Sequence, residues 1–192
     1  MTLLQKMSRT LQRRRNTTWH SMGYEIHVRK ETAADWANVA ALTKTVFNTQ
    51  EEAKLNDKLR QQTQDYVSLV AEQHGNIVGH IMFSPVHLAS RPDIKMMTLA
   101  PMVVSAGLQK HGIGSALVRA GLEACYQKSI DAVVVLGHAS YYPKFGFTPA
   151  SRFNISSPWQ VPDEVFMLLE LTPDIMKQAS GTVQYLPAFE QV

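Results

Sequence analysis

A seven-residue segment, Gln109-Lys110-His111-Gly112-Ile113-Gly114-Ser115, has the composition of a site that binds a phosphate through its backbone. Glycines at the start of a helix remove side chains, so main-chain N–H groups can approach a bulky anion, and the helix dipole adds partial positive charge there. The segment is not a P-loop, because no Gly-Lys-Ser/Thr follows, and Gly107, Gly112 and Gly114 lack the spacing of a dinucleotide-binding loop. The glycines alone are equally compatible with a structural tight turn.

The residues on either side of this segment predict the elements that must hold it. An apolar run from Thr98 to Val104 predicts a strand before it, and apolar residues at helical spacing predict a helix from about Gly112 to Lys128 after it. Ala132 to Leu136 is a continuous apolar run, which is typical of a strand buried on both faces of a parallel sheet. The unit spans about 40 residues, which is enough for a right-handed crossover between parallel strands.

The chain before this unit predicts one more strand and two helices. Tyr24 to Val28 alternates apolar and polar residues, as a half-buried strand does. Thr32 and Asp35 have the spacing of a capping box, which predicts the start of a helix. A second start, at Thr49 to Glu52, predicts a short polar helix.

A turn signal separates two further runs that favour strands. His74-Gly75-Asn76 lies between Tyr66 to Glu72 and Ile77 to Phe83, so an antiparallel hairpin is predicted, and Pro85 is expected to limit its second strand. After the central unit, the sequence predicts one short helical turn and two closing strands, at Tyr141 to Phe147, Val165 to Leu171 and Thr182 to Tyr185. These elements together predict an α+β fold with a central mixed sheet of six or seven strands and about four flanking helices.

Composition and charge indicate one globular domain preceded by a basic tail. The chain has 192 residues, 45% of them hydrophobic and 18% charged, which is ordinary for a single folded domain. Residues 1–23 contain five basic side chains and no acidic one, so residues 24–192 carry 14 basic against 16 acidic side chains and a net charge of −2. We therefore expect a disordered tail at 1–23, with a transit peptide or a nucleic-acid-binding arm as alternatives, and a single domain at 24–192 that does not bind nucleic acid.

The sequence has one cysteine, Cys125, so no internal disulfide can form, and we expect a reducing compartment such as the cytoplasm. No apolar run approaches the roughly 18 residues that a membrane span needs, so no membrane partner is expected. The seven histidines do not cluster at ligand spacing, and no metal is predicted. Because Cys125 lies within the predicted helix, a buried, inert thiol is favoured over a nucleophile.

The pattern Gln109-x-x-Gly112-x-Gly114, between a strand and a helix, resembles the signature of the GNAT superfamily of N-acetyltransferases. Segments outside the loop resemble the bacterial YhbS-type branch of that family: Gly79-His80-Ile81, Ser84-Pro85-Val86, 115–123, Val135-Leu136-Gly137-His138, 141–147 and Ser180-Gly181-Thr182-Val183. The similarity extends from Ile26 to Phe189, which is nearly the whole predicted domain.

The resemblance implies a GNAT-like sheet that splays between the 98–104 and 132–136 strands, and it implies acetyl-coenzyme A as the acyl donor held in the gap. Backbone amides of the loop would bind its pyrophosphate. The strand backbone near Val104 would pair with the pantetheine arm and polarise the thioester carbonyl. The residues implied in coenzyme binding are Met102, Val103, Val104, Gln109, Lys110, His111, Gly112, Ile113, Gly114 and Ser115.

The same resemblance implies residues that handle protons. Tyr142 matches the family tyrosine near the coenzyme sulfur, and a tyrosine is protonated at neutral pH and can donate to the leaving thiolate. Packing of Tyr141 and Tyr142 beneath the following turn is the alternative. His138, at the end of the buried strand, is the preferred base for the amine, with Glu72 and His80 as other candidates. A structural histidine or a water chain is left open.

The function predicted on this basis is transfer of an acetyl group from acetyl-coenzyme A to an amine by direct attack in a ternary complex. A non-catalytic module that binds coenzyme A or acyl-coenzyme A is the first alternative, and an RNA-associated protein that uses the basic tail is the second. The sequence leaves open the acceptor, the acyl-chain length and the oligomeric state, a homodimer included.

Overall fold

The computed structural model describes residues 17–21, 24–47 and 51–191, and these form ten strands and three α-helices. The strands are β1 (Thr17–Ser21), β2 (Tyr24–Lys30), β3 (Val67–Gln73), β4 (Asn76–Leu88), β5 (Met96–Val104), β6 (Ala132–Leu136), β7 (Thr148–Pro149), β8 (Ile155–Ser156), β9 (Phe166–Glu170) and β10 (Gly181–Gln184). The helices are α1 (Trp36–Phe47), α2 (Glu51–Gln62) and α3 (Ile113–Gln127). The predicted start of α2 at Thr49 lies outside the described residues.

One mixed sheet organises the fold, in the strand order β1-β2-β3-β4-β5-β6-β9-β7. Along this order, neighbouring strands are antiparallel except β5 and β6, which are parallel and are joined by α3; β8 and β10, outside this order, are also parallel. β10 pairs with the end of β4 and with β8. The predicted α+β class and central crossover are confirmed. The described part has ten strands rather than six or seven, and three α-helices rather than four. The two-residue strands β7 and β8 are too short to show a period in the sequence.

The sheet begins before the predicted domain boundary at Tyr24. β1 lies within the segment expected to be a disordered tail, and it pairs antiparallel with β2 from Thr17 opposite Val28 to Ser21 opposite Tyr24. Its sequence, Thr-Thr-Trp-His-Ser, contains β-branched and aromatic residues that favour strands. Residues 1–16, which hold all the basic side chains of the tail, lie outside the described part of the chain, so the roles suggested for them stay predictions.

Local signals explain the boundaries of several elements. The predicted capping box forms before α1, where the Asp35 carboxylate accepts hydrogen bonds from the Thr32 backbone N–H (2.8 Å) and from the Thr32 hydroxyl (2.9 Å). The predicted hairpin joins β3 to β4, and His74 and Gly75 take φ values of 49° and 79° in its turn. Gly146, at φ 97°, ends the predicted short helical turn. Each of these features depends on residues close together in sequence.

The prediction that Pro85 limits the second strand of the hairpin is wrong. β4 continues to Leu88, and Pro85 pairs with Met97 of β5. β3 begins at Val67, opposite Phe83, so at Pro85 the β4 strand has no β3 neighbour and is paired on the β5 side only, and a residue without an N–H donor is tolerated there.

The two faces of the sheet are covered by different helices. α3 packs on one face, called the α3 face, against a large apolar cluster. Glycines allow this close packing, because a Cβ at Gly121 would lie 2.2 Å from the Phe83 ring and one at Gly79 would lie 3.0 Å from Leu117. The other face is called the α1/α2 face. The β4 side chains that alternate with Phe83 point towards it, and they are His80, Met82 and Ser84.

β5 and β6 separate after three residues. They pair from Met96 with Ala132 to Thr98 with Val134, and β5 then runs on to Val104 paired with β4 but, among the described residues, with no strand on its β6 side. A register shift between β4 and β5 falls within this part of β5. The predicted splay of the sheet is confirmed, and it leaves a gap whose walls are the ends of β5 and β6.

Candidate functional site

The loop between β5 and α3 presents a row of unused backbone donors. A short 3-10 turn at Ala106–Leu108 leads into it, and the first hydrogen bond of α3 runs from the Ala116 N–H to the Gly112 carbonyl (2.9 Å). Among the described residues no protein acceptor is found for the backbone N–H groups of Lys110, Gly112, Ile113, Gly114 and Ser115. Aligned N–H donors and the positive end of a helix dipole together favour an anion at this place.

Gly112 and Gly114 are needed for different reasons. Gly112 precedes the helix with φ 86° and ψ −8°, in the left-handed region where a residue with a Cβ is strained. Gly114 lies within the helix, but a Cβ there would be 2.7 Å from the Tyr141 hydroxyl oxygen. Both glycines are predicted from the sequence to let an anion approach, and the structure adds the approach of a tyrosine at Gly114.

Tyr141 lies across the start of α3. Its hydroxyl is next to Gly114 and approaches the Ser115 side chain, and the Lys144 ammonium lies 3.9 Å from its ring centroid. Partial burial raises the pKa of Tyr141, while Ser115 and the Arg119 charge lower it by less. A protonated phenol therefore stands beside the donor row, a contact that no local sequence pattern indicates.

The backbone of β5 offers further donors at the gap. The Ser105 N–H donates to a carbonyl of β4 (2.9 Å), and successive N–H groups of a strand point to opposite sides, so the N–H groups of Val104 and Met102 face the gap. The Gln109 side-chain amide donates to the Val104 carbonyl (3.2 Å) and ties the loop to the strand. The N–H of Val103 faces β4 instead. Of the three predicted β5 residues, Met102 and Val104 therefore offer N–H donors to the gap, and Val103 does not.

The side chains of the loop are arranged around this backbone. Lys110 is exposed and has a left-handed φ of 64°. The His111 Nδ1 lies 2.7 Å from the Gln109 carbonyl oxygen. Ile113 is only 3% exposed and packs into the apolar cluster of the α3 face, so it offers the loop its N–H and not its side chain.

Tyr142 is buried beside the end of β6. Its side chain is 6% exposed, and its ring lies so near Gly137 that a Cβ there would be 2.3 Å away. The ring packs edge-on against Tyr141 and Phe147, with centroids 5.1 and 5.7 Å apart. Burial raises the pKa of Tyr142, and the neighbouring Tyr141 raises it further. Tyr142 is therefore a protonated phenol, held rigidly next to one wall of the gap.

The three candidate bases have different surroundings. His138 is exposed and lies two residues beyond the end of β6. The Glu72 carboxylate is 2.9 Å from the Arg29 Nε and is engaged in an ion pair. His80 is fully buried, and burial followed by the Arg60 charge lowers its pKa to about 3. Among the three, His138 alone combines exposure with a position beside the gap.

Buried polar side chains accumulate on the α1/α2 face. The Arg60 Nη2 lies 2.6 Å from the Glu31 Oε1, and the guanidinium carbon is 5.1 Å from the Trp36 ring centroid. The His80 Nε2 is 2.9 Å from the Ser68 Oγ and 3.5 Å from the same Glu31 oxygen. No sequence pattern indicates this cluster, because charged residues of an amphipathic helix usually form its solvated face.

Some polar atoms of this face have no hydrogen-bond partner in the described part of the chain. They are the Asn56 Oδ1 and Nδ2, the His80 Nδ1, the Ser84 Oγ and the Tyr185 Oη. Ser84 and Thr98 are polar residues within mostly apolar stretches of β4 and β5, which is the signal that the sequence carries for them.

Other predicted features of the chain can be compared directly. Cys125 is fully buried in α3 with its Sγ 3.9 Å from the Met97 Sδ, and burial raises its pKa, so the predicted buried thiol is confirmed. Over the described ranges, no group of three or more His, Cys, Asp or Glu side chains could hold a metal ion. No described helix has both the length and the apolar character that crossing a membrane requires.

Sequence comparisons place this arrangement among known proteins. Residues 27–150 match the family model of the acetyltransferase (GNAT) domain. The chain is 29% identical over 165 residues to the uncharacterized N-acetyltransferase YhbS of Escherichia coli (strain K12), a match that covers 85% of this chain and 98% of that protein. It is 36% identical over 115 residues to the uncharacterized N-acetyltransferase YjhQ of the same organism, covering 57% and 64% of the two chains.

Solved structures show the same fold. The crystal structure of Escherichia coli YhbS in complex with CoA has a TM-score of 0.82 and 27% identity, and the match covers 90% of this chain and 96% of that one. A GNAT family acetyltransferase from Brucella melitensis in complex with acetyl-CoA has a TM-score of 0.70 and 32% identity, covering 86% and 99%. The family model spans more than half of the chain, and the splayed sheet and glycine loop accompany it. The chain therefore belongs to the GNAT family of N-acetyltransferases.

Proposed function

We propose that the protein transfers an acetyl group from acetyl-coenzyme A to an amine by direct attack in a ternary complex. The observation that carries the proposal is the row of unused N–H donors from Gly112 to Ser115, next to the gap between β5 and β6. Two relatives that share the fold over most of their length were crystallised with CoA and with acetyl-CoA, which supports the same donor here.

In this proposal the backbone of Gln109–Ser115 holds the pyrophosphate of the donor. Lys110 adds positive charge nearby and His111 lies beside the loop, but the main-chain amides bind the phosphates. The pantetheine arm lies in the gap and pairs with the free N–H groups of Met102 and Val104. The Val104 N–H then polarises the thioester carbonyl, as an oxyanion-hole donor does.

Two side chains manage protons in the transfer. The amine nitrogen attacks the thioester carbon, the new C–N bond forms and the C–S bond breaks. Tyr142 gives its phenolic proton to the departing thiolate, a role supported by its burial and by a pKa that keeps it protonated at neutral pH. His138, directly or through water, accepts the proton that the amine loses. Solvent returns a proton to Tyr142 before the next turnover.

The proposal is tested by the release of coenzyme A thiol from acetyl-coenzyme A with a panel of primary amines. The wild-type protein is expected to release thiol with at least one amine, and Tyr142→Phe is expected to lower kcat by about 100-fold or more at unchanged affinity for acetyl-coenzyme A. Tyr126→Phe, on the exposed far end of α3, removes a matched hydroxyl and keeps wild-type activity. A wild-type kcat in Tyr142→Phe would contradict the assignment. Coenzyme binding without transfer to any amine would favour the non-catalytic module instead.

A further inference from the structure

We propose that Ser84, Thr98 and Tyr185 form a recess that binds a neutral hydrogen-bonding group of the acceptor. The acceptor is then an aromatic primary amine that carries a hydroxyl or an amide, and not a polycation. This inference rests on the proposed function, since it names the substrate class for the same gap.

The recess contains polar atoms that lack partners. The Ser84 Oγ and the Tyr185 Oη are buried, and neither makes a hydrogen bond with any described residue. Buried polar groups in native proteins are nearly always paired, so each atom calls for a partner that the described chain does not supply. Thr98 approaches the Tyr185 hydroxyl, and burial raises the pKa of Tyr185 to about 12, so this hydroxyl keeps its proton and can donate.

These hydroxyls meet where the gap opens. Ser84 and Thr98 are opposite each other on β4 and β5, so their side chains point to the same face of the sheet. Thr98 is also the last residue of β5 that pairs with β6. Tyr185 follows β10 and reaches Thr98 from the outer side. An acceptor anchored at these three groups has its other end directed into the gap between β5 and β6, in which the donor is proposed to lie.

The walls around Tyr185 are aromatic and apolar. The Trp159 ring lies 4.6 Å from the Tyr185 ring between centroids, and Phe189 packs edge-on at 5.1 Å. Trp159 is 39% exposed, so the aromatic wall extends from the surface to the buried hydroxyl. A flat ring fits against such a wall, and a few placed polar groups then fix its orientation.

The buried carboxylates of the α1/α2 face offer no free counter-charge to an acceptor with several positive groups. The apolar cluster against which Tyr185 packs contains Leu55, Leu59, Met82, Ala188 and Phe189. The buried carboxylates of this face are already neutralised, Glu31 by Arg60 at 2.6 Å and Asp35 by Arg29 at 2.8 Å. The second and third charges of a polycation would meet no counter-charge among these groups.

The test uses the full-length protein saturated with coenzyme A and four probe amines. Tyramine and 4-(2-aminoethyl)benzamide carry a ring and a neutral polar group, phenethylamine lacks the polar group, and spermidine is a polycation. Binding is measured by calorimetry, and transfer is measured by thiol release from acetyl-coenzyme A. We expect kcat/KM for the two polar aromatic amines to exceed the value for phenethylamine and for spermidine by 10-fold or more.

Two variants test whether the preference for polar aromatic amines depends on the recess. Ser84→Ala and Tyr185→Phe are expected to reduce the preference for tyramine over phenethylamine to 2-fold or less, while the affinity for coenzyme A stays unchanged. Both should melt at or above the wild-type temperature, because each removes an unpaired polar atom, and this measurement also establishes that they fold. Tyr126→Phe, the matched control on α3, keeps the wild-type preference.

Several outcomes would overturn the recess. One is a kcat/KM for spermidine that equals or exceeds the values for the polar aromatic amines. Another is an unchanged preference for tyramine over phenethylamine in Ser84→Ala and Tyr185→Phe. The third is no binding of either tyramine or 4-(2-aminoethyl)benzamide. A failure of the transferase proposal is distinct, because a protein that binds tyramine through these hydroxyls but releases no thiol with any amine keeps the recess and loses the reaction.

Discussion

The two faces of the sheet are built on different principles. On the α3 face, apolar side chains pack at close range around glycines, as at Gly121 against Phe83, and the buried unpaired polar atoms found in the described residues are all elsewhere. On the α1/α2 face, an ion pair between Glu31 and Arg60 is buried, and Ser84 is among the polar groups there that lack partners.

The difference indicates that the α3 face serves mainly stability, whereas the α1/α2 face has features that suit recognition of a ligand. The α3 face fixes the helix whose first turn presents the donor row, and this part of the site depends on the backbone. The α1/α2 face contains buried, unpaired polar groups, which lower stability. Such groups are typical of sites that are completed by a ligand. The proposed donor site is therefore expected to vary little with side-chain chemistry, and the proposed acceptor site to depend on it.

The largest expected effect comes from breaking the ion pair of the α1/α2 face. Arg60→Met leaves the Glu31 carboxylate buried without its partner, and the free energy of unfolding should fall by about 3–5 kcal/mol in urea denaturation at pH 7. The double variant Glu31→Leu with Arg60→Met should recover most of this loss, because it removes both charges. A loss below about 1 kcal/mol in the single variant would contradict the buried pairing.

A smaller loss is expected from overpacking the α3 face. A Cβ at Gly121 would lie 2.2 Å from the Phe83 ring, so Gly121→Ala should lower the free energy of unfolding by about 2–3 kcal/mol in the same assay. Gly107→Ala is the control, since a Cβ there meets nothing within 4 Å. Equal stability of the two variants would show that α3 does not pack as closely as described.

The smallest expected effect on stability is a pH dependence that arises from His80, on the α1/α2 face. His80 stays neutral in the folded protein because its pKa is lowered from 6.5 to about 3, whereas the unfolded chain takes up the proton near pH 6.5. The unfolded state therefore binds more protons between these values, and stability should fall by about 2 kcal/mol from pH 7 to pH 5. Asp35, whose pKa is held below 3.8 chiefly by Arg29, contributes only at lower pH.

The variants His80→Gln and His87→Gln sharpen this test. His80→Gln should lose most of the fall in stability between pH 7 and pH 5, and His87→Gln, at an exposed position of the same strand, should keep it. An unchanged pH profile in His80→Gln would assign the dependence to another group.

Sequence reasoning succeeded where the determining contacts are local. The capping box at Thr32, the His74-Gly75 turn and the strand–loop–helix–strand unit all depend on neighbouring residues, and each was predicted at its place. The glycine loop was found for the same reason. The β4 extension through Pro85 was missed, because tolerance of a proline depends on where a different strand ends.

The features that the sequence did not predict depend mainly on contacts between segments that are distant in the chain. The approach of Tyr141 to Gly114 joins residues 27 positions apart, and the approach of Tyr185 to Thr98 joins the residue after β10 to β5, far apart in the chain. A single sequence shows the residue types at these positions but not their meeting. The pairing of β1 with β2 was missed because the basic composition of residues 1–23 concealed a five-residue strand.

The central claim is that the backbone around Gly112–Ser115 holds acetyl-coenzyme A, and calorimetric titration of three proteins tests it most directly. Wild-type protein and Gly107→Ala should bind acetyl-coenzyme A with equal Kd values below about 1 mM. Gly114→Ala should bind at least about 10-fold more weakly, because its Cβ would lie 2.7 Å from the Tyr141 hydroxyl and would force the first turn of α3, with its backbone donors, away from Tyr141. Absence of binding to the wild-type protein at millimolar acetyl-coenzyme A, or wild-type affinity in Gly114→Ala, would contradict the account.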